Sequence, residues 1–394
     1  MAPRDRTADD GLGRALGALA VGWFLTLGAR FLPPAILPQI RATFGIGDAT
    51  AGVAISAIWV GYGLMQFPAG ALADRVDERT LLSLSLVLAG ASLAAIAGAP
   101  AFGVFLVACV LFGLGTGLFG PPRGIALSNL FAPTPGRAFG ITLAAGSVGS
   151  AALPFVASVL TDRIGWRLAV GLLVPAFLGV AAATLRYVPA DTGSGSDDGD
   201  DAASLRRTLG RALTDRQVLT AVAALTLMLF TFQALTAFLP TYLIRAKGVG
   251  QGVAGALFGV LFVAGAAAQL AGGDAVDRYG TRAVMVAVAV ATALSLAALP
   301  LVGGLVPVAA VVVLLATQMA VQPVMNSYII EALPPAGTGT AWGFLRTAFF
   351  LLGATGSTVV GVLSERGLLD ESFYLLAGVT AVAVLLFVLL PAES

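Results

Sequence analysis

The sequence lacks histidine, has a single cysteine, Cys109, and carries few charged residues for its length. Only 11% of its 394 residues are charged and 58% are hydrophobic, whereas soluble proteins average about 25% charged residues. Without histidine, His-containing zinc sites, His-based triads and a histidine proton relay are excluded, and one cysteine excludes an internal disulfide. The net charge of +1 gives no basic surface for nucleic acid. The composition is typical of a polytopic membrane protein.

Two uncharged runs predict the number of membrane spans. Leu81–Pro122 has no charge over 42 residues, and Ala283–Ile330 has none over 48. As single helices they would be about 60–70 Å long, roughly twice the hydrocarbon core of a bilayer, so each predicts two spans. With the remaining apolar stretches, the sequence predicts an all-α membrane protein of twelve transmembrane helices, a multi-pass protein of the plasma membrane with the lipid bilayer around it.

The distribution of arginine and lysine predicts the orientation. If the N-terminus is cytoplasmic, thirteen of these residues fall in cytoplasmic segments and six in outside loops. Cytoplasmic loops carry the excess of positive charge. We therefore expect both termini to be cytoplasmic.

An internal repeat indicates two homologous halves. A shift of 203 residues places Asp74-Arg75 on Asp277-Arg278 and Gln66 on Gln269. The predicted organisation has five segments. They are a cytoplasmic N-terminal tail (1–13), an N-terminal six-helix half (14–188), a cytoplasmic linker (189–215), a C-terminal six-helix half (216–391) and a cytoplasmic C-terminus (392–394). Parallel repeats of this kind are typical of transporters that move around a central site.

The loop after the second span carries the most specific motif. Gly70-x-Leu72-Ala73-Asp74-Arg75-x-x-x-Arg79 resembles the Gly-x-Leu-Ala-Asp-Arg-x-Gly-Arg-Lys motif of the major facilitator superfamily, with Asp77 where the family has glycine. The second copy, Asp277-Arg278-Tyr279-Gly280-Thr281-Arg282, keeps the glycine. The resemblance covers essentially the whole chain and implies the twelve-helix, two-half fold of that family and transport by alternating access.

The two loop copies supply the predicted gate. Gly70 would let a helix of the opposite half approach closely. An aspartate at a helix end can face the positive N-terminus of a neighbouring helix, and the arginines can pair with carboxylates. The predicted gating residues are Gly70, Asp74, Arg75, Arg79, Asp277, Arg278 and Arg282.

Three arginines lie inside predicted spans, where a charge is costly and is a functional hypothesis by default. Arg30 precedes Pro33 and Pro34 in the first span, and the prolines are expected to interrupt that helix. Acidic residues lie at span ends, and arginine presents a planar fork suited to carboxylate, phosphate or nitrate. The predicted substrate-binding residues are Arg30, Arg123, Gln233, Asn326 and Arg346.

The leading interpretation is a secondary active transporter of a small organic or inorganic anion, by exchange or by proton-linked symport. The alternative in the same family is efflux of amphipathic drug-like compounds. The family often has an arginine four residues before a Gly-x-Gly on the fourth span, and Cys109 at that position disfavours proton-driven drug efflux. A more distant alternative is a polytopic sensor or enzyme, although no catalytic cluster is present in any span. We expect no enzyme activity, no cofactor, no metal, a small-molecule substrate, no nucleic acid and a monomer.

Overall fold

The computed structural model describes residues 6–73, 75–131, 135–190, 215–333 and 338–391. The predicted gating residue Asp74, linker residues 191–214 and both chain ends (1–5 and 392–394) lie outside the described residues. Within the described ranges all regular elements are helices, and twelve candidate membrane spans are present. The predicted all-α fold with twelve spans is confirmed.

The first six spans are built from nine helices. They are α1 (Arg6–Ala29), α2 (Leu32–Ala35), α3 (Leu37–Phe44), α4 (Asp48–Ala73), α5 (Glu78–Gly98), α6 (Phe102–Leu130), α7 (Pro135–Ile164), α8 (Trp166–Gly171) and α9 (Leu173–Tyr187). The last six spans are α10 (Arg216–Arg245), α11 (Gln251–Tyr279), α12 (Thr281–Leu301), α13 (Leu305–Leu315) with a 3₁₀ turn (Ala316–Ala320) and α14 (Val321–Ala332), α15 (Thr338–Glu365) and α16 (Leu369–Val388). Long apolar helices satisfy their own backbone groups, which a bilayer requires.

Helix bounds follow the repeat found in the sequence. Helix α12 begins and ends 203 residues after α5 does. Helix α11 likewise begins 203 residues after the start of α4. Helix α6 begins at Phe102 and α13 begins at Leu305, again 203 residues later. The same offset therefore relates side chains of one half to side chains of the other.

The chain forms two compact units. Unit 1 contains the described residues of Met1–Leu32 and Ala57–Asp197, and unit 2 those of Pro33–Ser56 and Asp198–Ser394. The units differ from the repeat halves in one segment, because Pro33–Ser56 belongs to the first half in sequence and to unit 2 in space.

Glycines allow the helices of unit 1 to approach closely. A Cβ at Gly149 of α7 would overlap the backbone oxygen of Phe24 in α1, and a Cβ at Gly28 would overlap that of Gly149. Helix α4 meets α6 in the same way, since a Cβ at Gly113 would overlap the oxygen of Ile58. Small residues permit such backbone contact in membrane helices. These two contacts fix α1 and α4 in unit 1 and so position the side chains described next.

Candidate functional site

The first span is interrupted at Arg30. Helix α1 ends at Ala29, and α2 begins at Leu32. The amides of Arg30 and Phe31 bond to carbonyls three residues back, at 3.3 and 3.1 Å. Proline has no backbone N–H, so Pro33 and Pro34 cannot continue the pattern of an α-helix. The predicted interruption of the first span is confirmed.

Three aromatic rings surround the Arg30 guanidinium. Its central carbon, Cζ, lies 4.1 Å from the ring centroid of Tyr62, 5.2 Å from that of Trp59 and 5.4 Å from that of Trp23. The Arg30 Nε donates to the backbone oxygen of Thr26 at 3.1 Å, and the residue is only 1% exposed. Aromatic faces attract a cation at these distances. The contacts hold a permanent positive charge at a fixed place inside unit 1.

Arg123 contacts the same indole as Arg30. Its Cζ lies 4.2 Å from the ring centroid of Trp23. The residue is half-buried on α6 and follows Pro121 and Pro122 inside that helix. The structure therefore brings two of the predicted arginines together, although 93 residues separate them in sequence. We call Arg30, Arg123 and Trp23 the arginine pair and its indole.

The Trp23 ring is held by its neighbours. Phe119 of α6 stacks on it, with a centroid distance of 6.3 Å and an interplanar angle of 13°. On the other helix, a Cβ at Gly146 of α7 would overlap the indole Cδ1 and Nε1, so only glycine leaves room for the ring. Trp23 is 7% exposed. Close packing of this kind restricts the ring to one position.

An amide lies beside the same rings. Gln66 is 3% exposed and donates from Nε2 to the backbone oxygens of Tyr62 and Gly117, both at 3.2 Å. A Cβ at Gly120 would be 3.6 Å from the Gln66 Oε1 and 4.0 Å from the Tyr62 hydroxyl. Gln66 thereby joins α4 to α6, as buried amides do between membrane helices.

Unit 2 carries neutral amides at the equivalent positions. Gln233 of α10 stands 203 residues after Arg30, and Asn326 of α14 stands 203 after Arg123. Gln233 is 0% exposed, and neither of its amide atoms has a hydrogen-bond partner among the described residues. The Asn326 Oδ1 is likewise buried without such a partner. Buried polar groups in this state are uncommon and call for an explanation.

The third predicted arginine, Arg346, lies on α15 in unit 2. Its Cζ is 5.7 Å from the ring centroid of Phe350, one turn further along the same helix. The residue is half-buried. Arg346 therefore belongs to a different unit from Arg30 and Arg123.

The first gate loop differs from the family motif in a way that the structure explains. Asp77 caps α5, because its Oδ1 accepts the backbone N–H of Thr80 at 2.9 Å. Arg79 lies 4.0 Å from the same carboxylate. In the second copy the equivalent residue is Gly280, which takes φ +78° between α11 and α12. Aspartate caps by its side chain and glycine by its backbone freedom.

The remaining gating residues lie at the ends of α4, α11 and α12. Arg75 follows α4, and Asp277 and Arg278 lie in the last turn of α11, all three exposed, while Arg282 is half-buried at the start of α12. No described atom lies within 4 Å of a Cβ built at Gly70. The role of Gly70 in the gate therefore stays a prediction.

A charged cluster at the other end of α4 was not predicted from the sequence. In unit 2, Asp48 is 2% exposed and pairs with Arg41 (Nε to Oδ1, 2.8 Å) and Arg245 (Nη1 to Oδ2, 2.6 Å). The Ser364 hydroxyl of α15 donates to Oδ2 at 2.7 Å. We call these four residues the Asp48 cluster. It ties the start of α4 to the end of α10 and to α15.

Sequence reasoning also missed Trp23. Trp23 and Arg30 are seven residues apart on the first span, a spacing that places both on one helix face. This spacing could have identified Trp23 as a neighbour of Arg30 from the sequence. The contact between Trp23 and Arg123 left no sign in the sequence, because it depends on how α1 and α6 pack.

Comparison with known proteins agrees with the fold. The sequence profile of the Major Facilitator Superfamily matches residues 19–357 and 248–394. The chain is 32% identical over 155 residues to the uncharacterized MFS-type transporter Rv1250 of Mycobacterium tuberculosis, which covers 39% of this chain and 27% of the relative. It is 31% identical over 158 residues to the multidrug resistance protein MdtH of Klebsiella pneumoniae (40% of this chain, 38% of the relative). The chain thus spans less than two-fifths of the length of these curated relatives.

Among solved structures, the nucleoside transporter NupG superimposes with a TM-score of 0.80 at 13% identity, covering 95% of this chain and 98% of that one. This likeness concerns the fold. Together with twelve candidate spans and a family profile that covers most of the residues, it shows that the chain belongs to the Major Facilitator Superfamily of transporters.

Proposed function

We propose that the chain is a secondary transporter of a small anion, which binds to Arg30 and Arg123 and crosses by alternating access. Exchange and proton-linked symport are the two modes compatible with a chain in which no nucleotide-binding motif is recognised. The bound anion is a small molecule, and the protein works as a monomer in the plasma membrane with both termini in the cytoplasm.

The proposal rests on the contact of both arginines with the Trp23 indole. Each Cζ lies within 5.4 Å of the Trp23 ring centroid. At a separation of about 10 Å and an effective dielectric constant of about 20, two positive charges repel by about 2 kcal/mol. A fold that brings two such charges onto one ring works against this repulsion. An anion bound beside them converts the repulsion into attraction.

The internal repeat supports the interpretation that Arg30 and Arg123 serve function and not folding. The second half has Gln233 and Asn326 at the sequence positions equivalent to Arg30 and Arg123, although α1 ends at Ala29 whereas α10 is continuous through Gln233. The second half therefore accommodates neutral amides at both places. The arginines are better explained by the ligand than by the architecture. Gln233, Asn326 and Arg346 of unit 2 stay predicted substrate-binding residues on this proposal.

Efflux of amphipathic compounds is the second candidate, favoured by the name of the MdtH relative. Two fixed positive charges disfavour a cationic drug and accept an anionic one. A thermal-unfolding screen of the purified full chain separates the two functions. Carboxylates, phosphate esters, sulfate and nitrate form one arm, and lipophilic cations form the other.

A ligand at 100 times its dissociation constant stabilises a folded protein by about 2.7 kcal/mol. We expect members of the anion arm to raise the unfolding temperature and the cations to leave it unchanged. Stabilisation by cations alone would overturn the anion proposal in favour of cation efflux. As a matched control, Arg167→Gln removes another arginine that lies over a tryptophan of unit 1, at 4.8 Å from the Trp166 ring centroid, and should keep the anion response.

A further inference from the structure

One face of α4 carries Asp48, Gly52 and Ser56, which are spaced one helical turn apart. Residues four apart lie above one another on the same side of a helix. All three are buried, and all three contact α15. This face of α4 therefore packs against a helix of the second half over two turns.

Small and hydroxyl-bearing residues form the inner part of this contact. The Ser56 hydroxyl donates to the backbone oxygen of Ala354 at 2.6 Å. It also lies 2.7 Å from the hydroxyls of Ser357 and Thr358. A Cβ at Gly52 would overlap the backbone oxygen of Ser357. Small residues let membrane helices approach closely and bond, and they bury little apolar surface that would resist separation.

The Asp48 cluster forms the outer part of the same contact. The Asp48 carboxylate accepts from Arg245 at the end of α10 and from Ser364 of α15. Gly361 admits the backbone of α4, because a Cβ there would overlap the Asp48 oxygen. The Arg245 side chain is 35% exposed. Water can therefore replace the carboxylate at this arginine, and a partly exposed ion pair of this kind separates at modest cost.

The ion pairs of the cluster have no counterpart in the internal repeat. A shift of 203 residues relates the four members of the Asp48 cluster to four uncharged residues, Ala42, Thr161, Ile244 and Gln251. The equivalent sequence positions are thus occupied without charge. The ion pairs are a feature of this one contact and not of the helix pattern that the two halves share.

The contacts join residues of the first half to residues of the second. Pro33–Ser56 belongs to the first half in sequence and to unit 2 in space. Transporters built from two such halves work by moving one half against the other. We propose that Asp48, Gly52 and Ser56, with their partners on α10 and α15, form an outer lock, which is engaged in this structure and opens in each transport cycle.

The outer lock rests on two parts of the proposed function. Alternating access requires contacts between the halves to break on the side that opens. Cytoplasmic termini place the start of α4 on the outer side of the membrane. The identity of the transported solute does not enter, so the lock can be tested without a known substrate.

Thiol labelling of intact cells measures the opening of the lock. Ser357→Cys in the Cys109→Ala background is a nearly isosteric reporter at a residue that is 0% exposed. A membrane-impermeant maleimide reacts with it in proportion to the population of the open state. Asp48→Asn removes a charge from the lock, and loss of one charged hydrogen bond shifts an equilibrium about 10- to 150-fold. We expect Asp48→Asn to accelerate labelling ~10-fold or more.

Ser56→Ala opens the lock by a smaller change. The substitution removes the hydroxyl that contacts α15 and leaves every charge in place. A neutral hydrogen bond corresponds to about a 2- to 10-fold shift, and we expect labelling of Ser357→Cys to accelerate by that factor. This variant tests the lock even if Asp48→Asn fails to fold.

Two matched controls distinguish opening of the lock from loosening of unit 2. Asp370→Asn removes a carboxylate that accepts the Tyr242 hydroxyl at 2.6 Å and joins α10 to α16 within the second half. Ser372→Cys places the reporter at another serine that is 0% exposed, whose hydroxyl donates to Leu369 of its own helix at 2.6 Å. We expect Asp370→Asn to leave the labelling of Ser357→Cys unchanged. Asp48→Asn should likewise leave the labelling of Ser372→Cys unchanged.

The outcomes separate the lock from the proposed anion function. Unchanged labelling of Ser357→Cys in both Asp48→Asn and Ser56→Ala overturns the lock. Equal acceleration at Ser372→Cys overturns it too, because unit 2 has then loosened as a whole. Acceleration confined to inside-out vesicles overturns its outer location. If the lock opens as expected and no anion stabilises the chain in the thermal screen, the anion function fails and the lock stands.

Discussion

Arg30 and Gln233 occupy equivalent positions of the two repeats, 203 residues apart, and both are almost fully buried, at 1% and 0% exposure. The first is a permanent cation among three aromatic rings, and the second is a neutral amide. The repeat therefore carries a charge in one half and a neutral amide at the equivalent sequence position of the other. On the proposed function, a bound anion explains that difference.

Lysine at position 30 should restore anion binding only in part. Arg30→Lys keeps the positive charge but loses the planar fork and its contact with the rings. We expect an anion affinity between that of the wild type and that of Arg30→Gln, with the loss for glutamine on the order of 10- to 150-fold. Titration of the purified variants with an anion found in the screen measures this. Full rescue by lysine would show that charge alone matters and that the fork does not.

The cap at Asp77 should contribute measurably to stability. Its carboxylate accepts the Thr80 amide, and replacing an N-cap aspartate by alanine costs about 1 kcal/mol, whereas glycine costs only a few tenths. Chemical unfolding should therefore rank the wild type above Asp77→Gly and Asp77→Gly above Asp77→Ala.

The equivalent position in the second copy should respond differently. At Gly280, with φ +78°, alanine is strained, so Gly280→Ala should destabilise the protein. Stability unchanged in both Asp77→Ala and Gly280→Ala would contradict the assignment of these loops.

Loss of the carboxylate from the Asp48 cluster should be more harmful than loss of one arginine. Asp48→Asn leaves Arg41 and Arg245 next to each other without the negative charge they share. Both arginine side chains are partly exposed, at 22% and 35%, so we expect a loss on the scale of one charged hydrogen bond, about 1.5–3 kcal/mol. Arg245→Gln leaves Asp48 paired with Arg41 and should cost less.

A double-mutant cycle of Asp48→Asn and Arg245→Gln measures the coupling by thermal unfolding. Residues in one network couple by about 0.5–3 kcal/mol. Strict additivity of the two substitutions would mean that the ion pair contributes nothing to the fold of unit 2.

Substitution by alanine should affect the unfolding temperature at Gly149 and not at Gly70. Gly149→Ala places a methyl group against the backbone of α1 and should lower the unfolding temperature, since α1 and α7 cannot separate without cost. Gly70→Ala meets open space and should leave the unfolding temperature unchanged. If Gly70 serves the proposed gate in another conformation, Gly70→Ala slows transport without loss of stability. An unchanged transport rate removes Gly70 from the gate.

The predicted orientation is tested by labelling. In a Cys109→Ala background, Ser196→Cys should react with membrane-impermeant thiol reagents in inside-out vesicles and not in intact cells. Cys109 is buried and is the single native thiol, so its removal leaves a clean background. Labelling of position 196 from outside intact cells would contradict a cytoplasmic linker.

The elements that follow from local sequence were predictable, and those that follow from packing were not. Long uncharged runs predicted the spans, and Pro33 and Pro34 predicted the interruption at Arg30, because both depend on residues close in sequence. The contact between Arg123 and Trp23 depends on how α1 packs against α6. The Asp48 cluster joins residues 197 and 316 positions apart. Asp77 could have been recognised as a cap, since an aspartate before a long helix is a common N-cap.

The most direct test measures anion binding by a variant that carries the residues of the second half at the equivalent positions of the first. The double variant Arg30→Gln/Arg123→Asn gives unit 1 the amides that unit 2 already has at the equivalent positions, Gln233 and Asn326. Binding of the strongest anion from the screen is measured on this variant, on the wild type and on Arg167→Gln. We expect a folded protein that no longer binds the anion, while Arg167→Gln binds as the wild type does. Wild-type affinity in the folded double variant would contradict the assignment of the arginine pair as the anion site.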